Sequence, residues 1–167
     1  MATGLRPLPR SKYGIILVSN SRNSLPEAAR VLSGTPVYTV HFDVPEAPRK
    51  WILQYCRPEA GNDEDEAARD VIRVRTRKRV DPPYALDRHP LRLSKSADKE
   101  SKRAPQLVVV YARVTEDGRL ERSRVIRGAD PATDQMILAN LLSWNFLPAF
   151  EEGRPVPVEA VFGIPLR

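Results

Sequence analysis

"QLVVVYARVTEDGRLERSRVI", residues 106–126, decides how this chain folds. Val108, Val110, Ala112 and Val114 fall on one face of an extended run, and Leu107, Val109, Tyr111 and Arg113 on the other. A strand nearly apolar on both sides belongs inside a sheet. Asp117-Gly118 follows within "EDGR" (116–119), and that dipeptide between two extended runs is a strong hairpin signal. "LERSRVI" (120–126) then returns as a more polar, edge-like strand.

Downstream comes a helix. Asp130 is placed to N-cap it, and Pro131 suits its first turn, where the missing N–H costs nothing. Ile137, Leu138, Leu141, Leu142 and Trp144 recur at helical spacing and predict one broad apolar face. Pro148 prevents continuation, Glu151-Glu152-Gly153-Arg154 is turn chemistry, and Val156, Val158, Ala160 and Phe162 alternate as a final strand. The order is β-β-α-β.

Upstream, "YGIILV" (13–18) predicts a strand, and "SLPEAARVLSG" (24–34) a short helix with a capping box, Ser24-x-x-Glu27, and Gly34 as its stop. "PVYTVHFDV" (36–44) alternates Tyr38, Val40, Phe42 and Val44, and "KWILQYC" (50–56) is its hairpin partner. Tyr38, Val40, Phe42, Trp51 and Leu53 are expected to share a core with the short helix. The order here is β-α-β-β, which moving one strand from front to back converts into the other, as in a permuted repeat. The expected class is therefore α+β, with small antiparallel sheets each packed by one helix. The expected division is an N-terminal module (11–58), a charged linker (59–104) and a C-terminal module (105–167).

The 167 residues, 41% hydrophobic and 29% charged, suit a folded chain with a real core. Sixteen Pro against eight Gly favour strand ends and stiff connections. The longest apolar runs are strand length, far below the ~20 residues that cross a bilayer, so a soluble chain is expected. The net charge of +6 is uneven: "EAGNDEDEAARD" (59–70) is acidic, whereas 73–103 is rich in Arg and Lys. Such a stretch could touch nucleic acid or an anionic membrane. It has no interleaved aromatics for stacking bases, and a solvated linker facing its acidic neighbour is the plainer reading.

The pieces assemble into a pattern. Asp117-Gly118, then Trp144-x-Phe146-x-Pro148-Ala149, then Gly153-x-Pro155-Val156, a last strand and Ile164-Pro165 occur in that order. Over residues 105–167 this resembles the TonB C-terminal domain family. "DPPYALDRHP" (81–90) further resembles that family's Pro-x-Tyr-Pro segment, with Ala85 in place of its second Pro. The resemblance implies a three-stranded antiparallel sheet crossed by one helix, anchored by Trp144, Phe146, Pro148, Gly153 and Gly118. It implies that the last strand, with Val156, Val158, Glu159, Ala160, Val161 and Phe162, is an edge that takes an extended peptide by β-strand addition. It also implies a periplasmic or cell-envelope setting, a partner such as an outer-membrane transporter, and a role in energy transduction or transport. A homodimer through the same edge is the further expectation.

Catalysis finds little in the residues. His41 lies on the less apolar face of a strand and His89 in a Pro-flanked loop, Cys56 sits in an apolar run, and none of them forms a metal-ligand spacing. No two glycines form a G-x-G phosphate loop. The expectation is a non-catalytic interaction module with no cofactor and no metal. The alternative is a basic module binding nucleic acid or an anionic membrane surface.

Overall fold

The computed structural model of the chain describes residues 25–34, 36–58, 79–92 and 107–166. The expected strand at 13–18, Ser24 of the capping box and most of the charged linker lie outside the described residues. The fold is α+β. Helix α1 (Ala28–Val31) precedes a hairpin of β1 (Tyr38–Phe42) and β2 (Trp51–Cys56). The short strands β3 (Val80–Asp81) and β4 (Tyr84–Ala85) follow, then β5 (Leu107–Val114), β6 (Leu120–Arg127) and helix α2 (Pro131–Leu142). The chain closes with β7 (Phe146–Leu147), β8 (Ala149–Glu151), β9 (Arg154–Val156) and β10 (Val158–Pro165).

Five strands form one antiparallel sheet in the order β1-β2-β10-β5-β6. β5 is central and buried on both faces, as its two-sided apolar pattern predicts. One face carries Val40, Leu53, Tyr55, Val110, Ala112, Ala160 and Phe162 into the main core, with Ile137 and Leu141 of α2 over it. α2 begins as expected: Asp130 is its N-cap, the carboxylate accepting from Thr133 N, and Pro131 occupies the first turn. Only part of its anticipated stripe is used, because Leu142 is exposed and Trp144 lies just past the helix end. The opposite face packs Val109, Tyr111 and Val161 against Leu25 and Ala28.

The expected N-terminal module does not build a sheet of its own. β2 pairs along β10, from Glu159 opposite Cys56 to Gly163 opposite Ile52, so the hairpin extends the sheet of the C-terminal strands. The anticipated sharing of Tyr38, Val40, Phe42, Trp51 and Leu53 is real, but their core is the α2 side; α1 sits on the other face. α1 is a single turn with no side-chain cap, and the chain is already extended at Leu32. Gly34 therefore does not end a helix. A Cβ there would sit 1.7 Å from the Arg57 carbonyl oxygen, so glycine is needed for close backbone approach.

The segment 80–92, assigned to the linker from sequence, belongs to the fold. Tyr84 and Ala85 pair with Leu147 and Phe146, and Val80 and Asp81 with Glu151 and Phe150. Tyr55 donates its hydroxyl to the Val80 carbonyl at 2.7 Å, fastening the segment beneath β2. The expected last strand also divides. Val156 ends β9, which returns along β8 in the three-stranded ribbon β3-β8-β9, and β10 starts afresh at Val158 after Pro157.

Candidate functional site

The last strand is the wrong place to look for an open edge. β10 is held by β2 on one side and by β5 on the other. Val158, Ala160, Val161 and Phe162 are fully buried. The edge expected at Val156, Val158, Glu159, Ala160, Val161 and Phe162 is thus a central strand and the outer end of a ribbon. The physical reason is the N-terminal hairpin: its apolar β2 covers the edge that β10 would otherwise present.

Among the described residues the outer strands of this sheet are β1 and β6, and they differ in kind. β6 pairs with β5 through register shifts at Val109/Val110 and Tyr111/Arg113, and Arg122 has a positive φ of 52°. Glu121, Arg122, Arg124 and Arg127 are exposed along it. Bulges and outward charges blunt an edge against strand pairing. β1, by contrast, runs in unbroken register from Tyr38 opposite Tyr55 to Phe42 opposite Trp51. Its sequence, "YTVHF", holds neither Pro nor a formal charge at neutral pH. The strand has a defined end as well. Arg88 Nη1 donates to the Asp43 carbonyl at 2.6 Å, with the guanidinium 5.4 Å from the Phe42 ring centre and 4.9 Å from that of Tyr84.

Both faces of β1 are set by neighbours. On the core side Tyr38 stacks on Tyr55 at 5.2 Å and Phe42 meets Trp51 at 6.0 Å. On the other side Gln54 Nε2 donates to Thr39 Oγ1 at 3.0 Å, and Gln54 Oε1 accepts from Leu25 N at 2.9 Å. This buried amide is satisfied at both ends and ties the chain before α1 to the hairpin. His41 lies beside it, half-buried.

Of the residues expected to anchor the C-terminal part, Trp144, Phe146 and Gly118 converge. Trp144 is buried, stacked at 5.0 Å on Trp51 and 6.1 Å from Phe146, which in turn meets Phe162 at 6.0 Å. Gly118 sits at the same junction. Its φ is +79°, its carbonyl accepts from Phe146 N at 3.2 Å, and a Cβ there would fall 1.8 Å from the Phe146 carbonyl oxygen. Gly153 also has φ +79° but nothing within 4 Å of such a Cβ.

Glu159 has a role that its expected place on an edge did not suggest. Its Oε2 accepts from the Ser33 backbone N–H and hydroxyl, both at 2.8 Å, and from Cys56 Sγ at 3.6 Å; Oε1 accepts from the Tyr111 hydroxyl at 3.1 Å. Partial burial works to raise the carboxyl, but these hydrogen bonds together hold it below its ordinary range. Burial, with the carboxylate beside it, pushes the Cys56 thiol up to about 12, which keeps it protonated and unreactive. The cluster clamps the segment after α1 onto the sheet.

Of the basic stretch 73–103, the part within 79–92 is occupied with the protein itself: Arg79 pairs with Asp81, Arg92 with Glu46, and Arg88 closes the end of β1. His89 is exposed and lends its carbonyl to Asn140 Nδ2. Among the described residues no group of three or more His, Cys, Asp or Glu could hold a metal ion, and no helix is long and apolar enough to cross a membrane. Sequence reasoning passed over β1 as an edge, although its uncharged, Pro-free alternation was in view. What hid it was the assumption of a separate N-terminal sheet.

No protein-family model matches this sequence, and no curated protein matches it.

Proposed function

We propose that this chain is a non-catalytic, TonB-like interaction module of the bacterial cell envelope that accepts an extended segment as an added strand, and that its receiving edge is β1. The observation that carries this is the contrast between the two outer strands: β6 is bulged and charged, whereas β1 is regular and uncharged. Backbone hydrogen bonds along β1 supply affinity, and alternate side chains of the added strand meet Tyr38 and Phe42 on one face and His41 on the other. The TonB-like order of Asp117-Gly118, Trp144, Phe146, Gly153 and Pro155 supports the reading, and of these Gly118, Trp144 and Phe146 meet at one junction. A periplasmic setting and a transport role follow from the same resemblance.

The test is selection of displayed decapeptides against the immobilised chain, then amide chemical-shift mapping of the tightest binder. The reading expects perturbation concentrated at 38–42 and only weak dependence on salt. Perturbation centred on Arg113, Arg122 and Arg124 with a steep loss on adding salt would instead favour an anionic ligand such as nucleic acid or lipid.

A further inference from the structure

Independently of β1, we infer that the outer face of α2 is a second interaction surface, and that its partner is an amphipathic helix whose apolar stripe is flanked by Lys or Arg. Among the described residues three large hydrophobic side chains are exposed: Leu86, Met136 and Leu142. Two of them stand on α2. The third is fastened at the C-terminal end of that helix, where the Leu86 N–H donates to the Asn145 carbonyl at 2.8 Å. Scattered exposed apolar residues need no explanation, but a gathering of them on one side marks a contact surface. The face also has the shape for a helix. Ile137 and Leu141 turn into the core, while Ala132, Gln135, Met136, Ala139 and Leu142 recur on the opposite side at spacings of three and four, all exposed. Helical geometry runs Ala132 and Ala139 along the middle of the face, with Met136 and Leu142 on either side. Small side chains between larger ones let a second helix approach closely.

Charge selects the partner. None of the five residues on the outer face is charged, in a chain that is 29% charged. A helix with no charged stripe on its outer side is usually covered there as well. α2 holds no Lys, Arg or His, and carboxylates stand at both of its ends. Asp130 and Asp134 occupy the N-terminal turn; Asp87, which accepts from Asn145 Nδ2 at 2.8 Å, lies beside the C-terminal one. With no basic residue in its last turn, the negative end of the helix dipole adds to Asp87. Arg88, next in sequence, is turned away to the Ala85 and Asp43 carbonyls. On a chain of net charge +6 this is an acidic island around a neutral stripe. It repels an anionic lipid surface, and two antiparallel copies of α2 would set carboxylates against carboxylates. A helix with basic flanks meets neither objection. α2 is about 18 Å long, so a partner helix of three to four turns reaches the carboxylates at both ends.

The test selects binders to the full chain from a displayed library of helices about sixteen residues long, randomised at stripe and flanking positions. The binders are expected to carry Leu, Ile, Phe or Met at i, i+3 or i+4, and i+7, with Lys or Arg beside them. Their affinity should fall about tenfold or more on Ala139→Glu and on Leu142→Glu, and measurably on Asp87→Lys, while Met136→Leu stays within about twofold. All four positions are exposed, so each variant should keep the wild-type thermal midpoint. If Ala139→Glu fails to fold, Leu142→Glu decides. A library that yields no binder, or binders indifferent to both substitutions, overturns the surface. Binders with acidic flanks overturn the partner's chemistry. Sedimentation of the chain alone and flotation with phosphatidylglycerol vesicles complete the test. A dimer dissociated by Ala139→Glu gives the face to a second copy, and vesicle binding abolished by it gives the face to lipid; either result overturns the helical partner. A strand peptide selected for β1 should bind every one of these variants as it binds wild type, so failure of either surface leaves the other standing.

Discussion

Gly118 joins two requirements in one residue: a backbone conformation that L side chains avoid, and a carbonyl of Phe146 within 1.8 Å of where a Cβ would stand. Gly153 has the first requirement without the second. Gly118→Ala should therefore cost clearly more than about 1–2 kcal/mol, and Gly153→Ala about that much, measured by denaturant unfolding. Trp144 allows a similar separation. Its ring packs among Trp51, Phe42 and Phe146, while its Nε1 is buried with no hydrogen-bond partner. Trp144→Ala should lose ~3–5 kcal/mol, and Trp144→Phe much less, because no hydrogen bond goes with the indole. Glu159 carries a pH signature. Its folded carboxyl titrates below the unfolded value near 4.5, so its contribution is complete above that value and is lost as pH falls through the folded one. Wild type should be more stable than Glu159→Gln at pH 7, and that gap should close in acid. At this scale much was legible in advance. Burial of Trp144 followed from its spacing with Ile137 and Leu141, and the Asp130 cap from its place before Pro131. Glu159 was not, since its partners Ser33, Cys56 and Tyr111 come from three distant segments.

Elements were legible where local chemistry decides them. The Asp117-Gly118 hairpin, β5 and α2 stand where turn signals and periodicity put them, because those signals act over a few residues. What strand periodicity does not carry is the identity of the neighbour. An alternating strand looks the same whether its edge is open or paired, so nothing in the pattern of β10 told against the edge that the resemblance implied, although Leu53 and Tyr55 of β2 lie directly beside Phe162 and Ala160. The short strands β3 and β4 were invisible for a related reason: two residues show no period, and only pairing with Glu151, Phe150, Leu147 and Phe146 makes them strands. A consequence can be measured. Proline at Val161, in the middle of β10, should abolish cooperative folding rather than selectively weaken binding, because it removes a ladder hydrogen bond from the centre of the sheet. A Val161→Pro chain that melts like wild type while losing partner binding would return the edge to β10.

Across the whole molecule, the hairpin β1-β2 is the addition that moves the edge. By pairing along β10 it buries Trp51, Leu53 and Tyr55 in the core shared with α2, and among the described residues β1 becomes an outer strand of the sheet. Which strands lie outermost among the described residues therefore follows from which segment closes the sheet, a relation between residues some hundred positions apart. The measurement that tests this most directly is residue-resolved amide hydrogen exchange of the chain alone and saturated with an extended peptide partner selected for binding. The account predicts that β10 amides are protected to the same high level in both states, and that new protection on binding appears at 38–42. Rapid exchange along 158–165 in the free chain, with protection gained there on binding, would contradict it.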